Sequence, residues 1–198
     1  MANYITALLL GALILGAGGA RAADQAATAS TAARYQQANA GSSLSFTFTQ
    51  LGAASTGRFR TFATELRHDE AHPEQGSLVV RVMVDSLDTQ DGERDATLKG
   101  ADLFDAKKYP AATFAANTLV RTAEGGLEAV GKLTIRGVSK DLRLPFTLKP
   151  TANGLELSGQ TTIKRLDFGV GQGEWKSTES VGDEVKIDYK VALVKAAR

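Results

Sequence analysis

The stretch Leu127-Glu128-Ala129-Val130-Gly131-Lys132-Leu133-Thr134-Ile135-Arg136-Gly137-Val138-Ser139-Lys140-Asp141-Leu142-Arg143-Leu144-Pro145-Phe146 decides the fold. Leu127, Ala129, Leu133 and Ile135 occupy alternate positions before Arg136-Gly137, and Leu142, Leu144 and Phe146 do so after it. A period of two places one set of side chains on each face of a strand. Arg136-Gly137 is a turn signal. The reading is a pair of antiparallel strands with one buried face.

The same period runs outward from this hairpin. Leu44, Phe46 and Phe48 alternate with Ser45, Thr47 and Thr49. Leu78, Val80, Val82 and Val84 share a face opposite Arg81 and Asp85. Leu155, Leu157, Thr161 and Ile163 form another set, and Val185, Ile187, Tyr189, Val191 and Leu193 the last. Two segments are less regular. In 56–66, Phe59 and Phe62 fall on opposite parity, which predicts a bulge. In 112–121, Phe114 and Val120 are expected on one side. These make eight strands, with turn signals at Glu124-Gly125-Gly126, Asn153-Gly154 and Gly182-Asp183. Short links favour an up-and-down meander, and eight strands can close into a barrel without free edges. From Asp91 to Lys108 the period fails. Asp95 is expected to cap a short helix over 96–101 that buries Leu98 and Ala101, with Leu103 and Phe104 as further apolar contacts over one end or side of the barrel.

The interior of such a barrel is filled either by side chains or by one ligand. Small inward residues, Ala116, Ala129, Gly131 and Gly159, predict open space along the axis. Phe46, Phe48, Phe59, Val80, Val82, Phe114, Leu133, Ile135 and Phe168 are the candidate lining of an apolar channel. Trp175, the single tryptophan, follows Gly169, Gly171 and Gly173 and is either a gate over a barrel end or a fixed packing residue. Arg136, Arg165 and Asp167 lie near strand ends. They hold either structural bonds or the polar head of a ligand at a barrel mouth.

The N-terminus reads as an address. Ile5 to Leu15 is an apolar run, followed by small residues and Ala20-Arg21-Ala22, so a signal peptide over 1–22 is expected, with a flexible leader over 23–34 and one domain over 35–198. The chain has 23 basic and 22 acidic residues. This balance gives no basic stripe for nucleic acid. Zero cysteines exclude disulfides, thiol catalysis and cysteine metal sites. His68 and His72 are spaced for a metal only on a helix, and Pro73 argues for a turn. Gly169-Val170-Gly171-Gln172-Gly173 lacks the following helix that a phosphate loop needs. Carboxylate pairs such as Asp102 with Asp105, or Asp183 with Glu184, have no nucleophile and base beside them. The expectation is a binding protein with no catalytic cofactor and no metal, not an enzyme.

Four ordered motifs resemble one family, the YceI-like barrels of the bacterial periplasm. They are Leu98-Lys99 with Asp102-Leu103-Phe104-Asp105, Tyr109-Pro110 and Thr113-Phe114; Gly131 to Lys140 with Leu144-Pro145; Arg165 with Asp167 to Gly171; and Val181 to Val185. Ser43, Ser45-Phe46, Gly57 and Phe59 also fit, and the resemblance covers about Tyr35 to Leu193. It implies an elongated lipocalin-like barrel that binds, stores or transports a polyisoprenoid lipid, such as a ubiquinone or a polyprenyl phosphate. The Gln172-Gly173-Glu174-Trp175 tail resembles a subgroup associated with membrane b-type cytochromes, which implies an inner-membrane partner. The chain is also compatible with self-association. The alternative is a stress-response or interaction barrel whose core is filled by its own side chains.

Overall fold

Alternating strands are marginal alone and gain stability by closing on one another. In the computed structural model, which describes residues 32–197, they do so. The signal segment and most of the expected leader lie outside these residues. The elements are β1 (Ala33–Gln37), β2 (Ser43–Gln50), β3 (Ala53–Phe59), β4 (Phe62–His68), β5 (Ser77–Met83), β6 (Leu87–Asp88), α1 (Gly92–Lys99), β7 (Ala111–Arg121), β8 (Leu127–Ile135), β9 (Val138–Thr151), β10 (Gly154–Lys164) and β11 (Val181–Lys195). Three barrel strands are each broken once, giving the pairs β1 and β2, β3 and β4, and β5 and β6. The eleven segments therefore form eight antiparallel strands. The ring closes because β11 pairs with β10 on one side and with both β1 and β2 on the other.

Three local expectations are refined. The bulge between Phe59 and Phe62 is the two-residue break between β3 and β4, and it lets both rings face the interior. In β7 the register shifts between Ala116 and Thr118, so Leu119 is fully buried while Val120 is exposed. Phe114 and Val120 thus lie on opposite faces; the unpaired Asn117 moves the alternation by one residue. Helix α1 begins earlier than expected. Asp91 caps it by accepting from the Glu93 and Arg94 amides, and Ala101 is exposed. Asp95 instead accepts from the Thr89 amide and hydroxyl, at 2.8 and 2.6 Å.

One end of the barrel is solid. Leu66, Leu78, Leu119, Leu127, Phe146 and Leu193 pack there around Ala116 and Ala129. The small inward residues therefore do not mark the open space. Ala116 and Ala129 receive large neighbours from across the axis, and Gly159 lies under the Tyr189 ring, whose hydroxyl donates to the Pro145 carbonyl. A Cβ on residue 159 would collide with both that carbonyl and the ring.

The other end is built differently. The β9–β10 ladder runs only from Gly154↔Thr151 to Ser158↔Thr147. Beyond it β9 stays with β8, and β10 stays with β11. On the opposite side, β5 pairs with β7 down to Met83↔Ala111, and β6 then pairs with β3 alone. The lower half is thus two sheets meeting at two seams. Residues 89–110, including α1, cover one seam. The turns after β10, at Arg165–Phe168 and Gly173–Lys176, lie beside the other.

The free end of β6 is secured by charge. The Asp88 carboxylate accepts from Arg60 at 2.7 and 3.0 Å and from Arg58 at 2.8 Å. The side-chain bonds from Arg60 and then Arg58 hold its pKa down to about 2. A depressed carboxylate stabilises the fold above its ordinary pKa and loses that contribution as pH falls through the folded value. Asp88→Asn should therefore melt below the parent protein above pH 4, and the two melting curves should converge as pH approaches 2.

Candidate functional site

Between the solid end and the covers lies a cavity of about 180 Å³. Among the described residues, no polar atom is exposed to it. Phe46, Phe48, Phe59, Val80, Val82, Phe114, Leu133, Ile135 and Phe168 all border it. The period-two reading brings these residues together because each strand turns its apolar face inward. The lower wall owes more to the covers than the sequence suggested. Leu98, Leu103 and Phe104 enter from the 89–110 segment, and the Phe104 ring meets Phe59 edge-on at 6.2 Å. Phe62, Leu142, Leu144, Val181 and Tyr189 also contribute and were not singled out as lining. The alternation already pointed to Leu142, Leu144 and Tyr189. Phe62 was obscured by the strand break.

The charged residues expected at a mouth have other work. Arg165 is 5% exposed. Its guanidinium donates to the carbonyls of Gly182, Val170, Trp175, Ser177 and Val181, at 2.7 to 3.3 Å. Burial lowers its pKa and nearby Asp183 opposes that shift. It borders the cavity, but its donors are spent on fastening residues 170–182. Gly171 is part of the same fit: its φ is +122°, and a Cβ there would strike the guanidinium. Arg136 directs Nη1 to the Ala101 and Leu103 carbonyls, both at 2.6 Å, and does not border the cavity. Asp167 is exposed and away from the lining. None of the three presents a free charge to the interior.

Trp175 is also absent from the lining. It packs on the cluster of Leu103, Ile135, Phe168 and Val170, with its amide bonded to Gln172 at 3.0 Å and its carbonyl to Arg165. The packing alternative describes it in this structure. The glycines around it take defined positive-φ conformations. The two covers are tied together where the Asp102 carbonyl accepts from the Gly171 and Gln172 amides, at 3.0 and 2.7 Å. His68 ends β4 and His72 precedes the turn Pro73–Gln75, so their spacing is not helical.

One lining residue stands out in the opposite sense. Thr64 is 1% exposed and its hydroxyl has no partner among the described residues. An unpaired buried hydroxyl costs about 1–3 kcal/mol. Thr64→Val, which keeps the shape, should raise stability by about 1 kcal/mol. A higher denaturant midpoint with an unchanged slope would establish this, and a lower midpoint would refute it.

Comparison with known proteins agrees with this architecture. A sequence model described as a YceI-like domain matches residues 35–193. The chain belongs to the YceI-like family. A UPF0312 protein of Vibrio cholerae is 37% identical over 139 residues, covering 65% of this chain and 71% of that protein. The crystal structure of Burkholderia cenocepacia BcnA is 34% identical, with a TM-score of 0.73, covering 76% of this chain and 94% of BcnA. A polyisoprenoid binding domain from Saccharophagus degradans, implicated in plant cell wall breakdown, has a TM-score of 0.64 at 15% identity, covering 82% of this chain and 98% of that domain. That likeness is one of fold. In this YceI-like barrel, the cavity lies between the solid end and the covers.

Proposed function

We propose that this YceI-like barrel is a periplasmic protein that binds a long-chain isoprenoid lipid in its cavity, for storage or transport. The observation that carries the reading is the cavity inside the barrel, to which no polar atom of the described residues is exposed. Such a surface offers a ligand burial and nothing else, at ~0.8 kcal/mol for each CH₂ removed from water. The description of the Saccharophagus degradans domain as polyisoprenoid-binding supports the same chemistry. The periplasmic address rests on the apolar run and Ala20-Arg21-Ala22.

Size adds a condition. A void of about 150 Å³ takes a benzene, and this cavity is about 180 Å³. A chain of eight prenyl units has about forty carbons, whose naive burial of ~32 kcal/mol far exceeds any real affinity. Much of that energy goes into parting the walls, and the two seams are where the walls are not laddered. Mass spectrometry of an organic extract of the protein purified from its own periplasm tests the reading. A prenyl lipid in stoichiometric amount is expected. An empty extract, with no uptake of prenyl lipid by the purified protein, would favour the self-filled interaction barrel.

A further inference from the structure

We propose that the lipid enters and leaves sideways, through the seam between β9 and β10, and that the bond from Tyr189 to Pro145 is a strap at the head of this slot. The proposal rests on the isoprenoid-binding reading and adds the route to it. The seam opens on the cavity itself. Leu142 and Leu144 on β9, and Thr161 and Ile163 on β10, border the cavity from its two sides. Leu142, Thr161 and Ile163 are only half-buried. Below Ser158↔Thr147, where the Thr147 and Ser158 hydroxyls meet at 3.2 Å, no backbone rung joins the two strands among the described residues. One tie remains at that point. The Tyr189 side chain starts on β11 opposite Gly159, passes that glycine, and donates its hydroxyl to the Pro145 carbonyl on β9. Gly159 is required for this reach, since a Cβ would occupy the path of the ring.

The other routes break more bonds. The opposite seam is bridged by the Val84 amide, which donates to the Pro110 carbonyl at 3.0 Å, and Leu98, Leu103 and Phe104 stand behind it on the cavity wall. That segment is held by Arg136 and is joined to residues 171–172 through the Asp102 carbonyl. The covered end is fastened further by the five carbonyl bonds of Arg165. A flexible prenyl chain can thread a slot lengthwise, so parting β9 from β10 asks for the loss of one side-chain bond and leaves the covers in place.

The protein has no cysteine, so two introduced thiols can be linked specifically. Arg143→Cys with Thr162→Cys places them at exposed positions that the ladder, if continued, would bring opposite one another. Asp102→Cys with Gln172→Cys links the two covers instead. Each delipidated mature protein is loaded with geranylgeraniol, linked with a short bis-methanethiosulfonate reagent, and its release of the alcohol to phosphatidylcholine vesicles is timed. Two further hydrogen bonds on the next-best route correspond to about 30-fold in rate, so the seam link should slow release at least that much. Reduction should restore the parent rate, and the cover link should leave it unchanged. Tyr189→Phe keeps the ring, removes the strap, and should release about fivefold faster. Release unaffected by the seam link, or slowed by the cover link instead, would overturn the inference and leave isoprenoid binding in place. If the seam link does not form, Tyr189→Phe decides: release no faster than the parent's would overturn it. Failure of the parent protein to take up geranylgeraniol would overturn the isoprenoid reading and this inference together.

Discussion

Arg165→Met lowers the stability of the barrel by on the order of 3–5 kcal/mol, the largest effect expected from a single substitution outside the apolar core. The side chain is 5% exposed and satisfies five carbonyls contributed by residues 170–182. Methionine has similar length but no donor, so the carbonyls lose their partners together. Water can reach some of them only if the segment lifts from the barrel. Arg165→Lys should recover little, because an ammonium has three donors and no planar fork. Denaturant unfolding gives the loss, and limited proteolysis between 170 and 180 reports the lifted segment. The stability loss should be similar in delipidated and loaded protein. A loss below about 1 kcal/mol would mean that the carbonyls find other partners at little cost.

On the proposed lipid-binding function, Val80→Trp is expected to displace the bound chain. Val80 borders the cavity on β5, with Thr64 and Phe114 as its pairing neighbours on β4 and β7. An indole placed there fills a large part of the available space. If only a third of the naive burial of two five-carbon units is lost, the deficit is ~2.7 kcal/mol, or about 100-fold in affinity. The added bulk enters a void, so overpacking should cost no more than about 1–3 kcal/mol. The measurements are prenyl lipid per protein in an organic extract and the circular dichroism of the folded variant. A folded Val80→Trp protein carrying the parent's full complement of lipid would place the binding site elsewhere.

The fold was legible because its signal is repeated. Eight stretches of alternating polarity, separated by turn residues, leave few topologies, and antiparallel closure is among them. The lining was legible for the same reason: Phe46, Phe48, Phe114 and Leu133 are inward simply by parity. Parity failed where the backbone inserts a residue. The shift at Asn117 exchanges Leu119 and Val120, and nothing in the composition of β7 announces it. Helix α1 illustrates a local ambiguity. Asp91 and Asp95 are both competent caps, and the choice was made by Thr89, which claims Asp95. The arginines were the hardest. A sequence shows that Arg165 is charged and near a strand end. It does not show that five carbonyls from a later segment fold back to meet it. The small residues misled in a related way, because space left by Ala129 is taken by neighbours far away in the chain.

The seam between β9 and β10 has a consequence for how the backbone meets water. In an antiparallel strand, successive amides point to alternate neighbours. Along β10 from Gly159 to Lys164, one set faces β11 in a continuous ladder, while the other faces a strand with which no rung is formed. Deuterium should therefore enter every second amide there rapidly and leave the intervening ones protected, a comb-like pattern within one strand. The open edge is also where a foreign strand would add. β9 guards its side: Pro145 has no amide to offer, and Lys140, Asp141 and Arg143 are exposed along it. The barrel can thus keep an unzipped flank without inviting its neighbours to zip onto it.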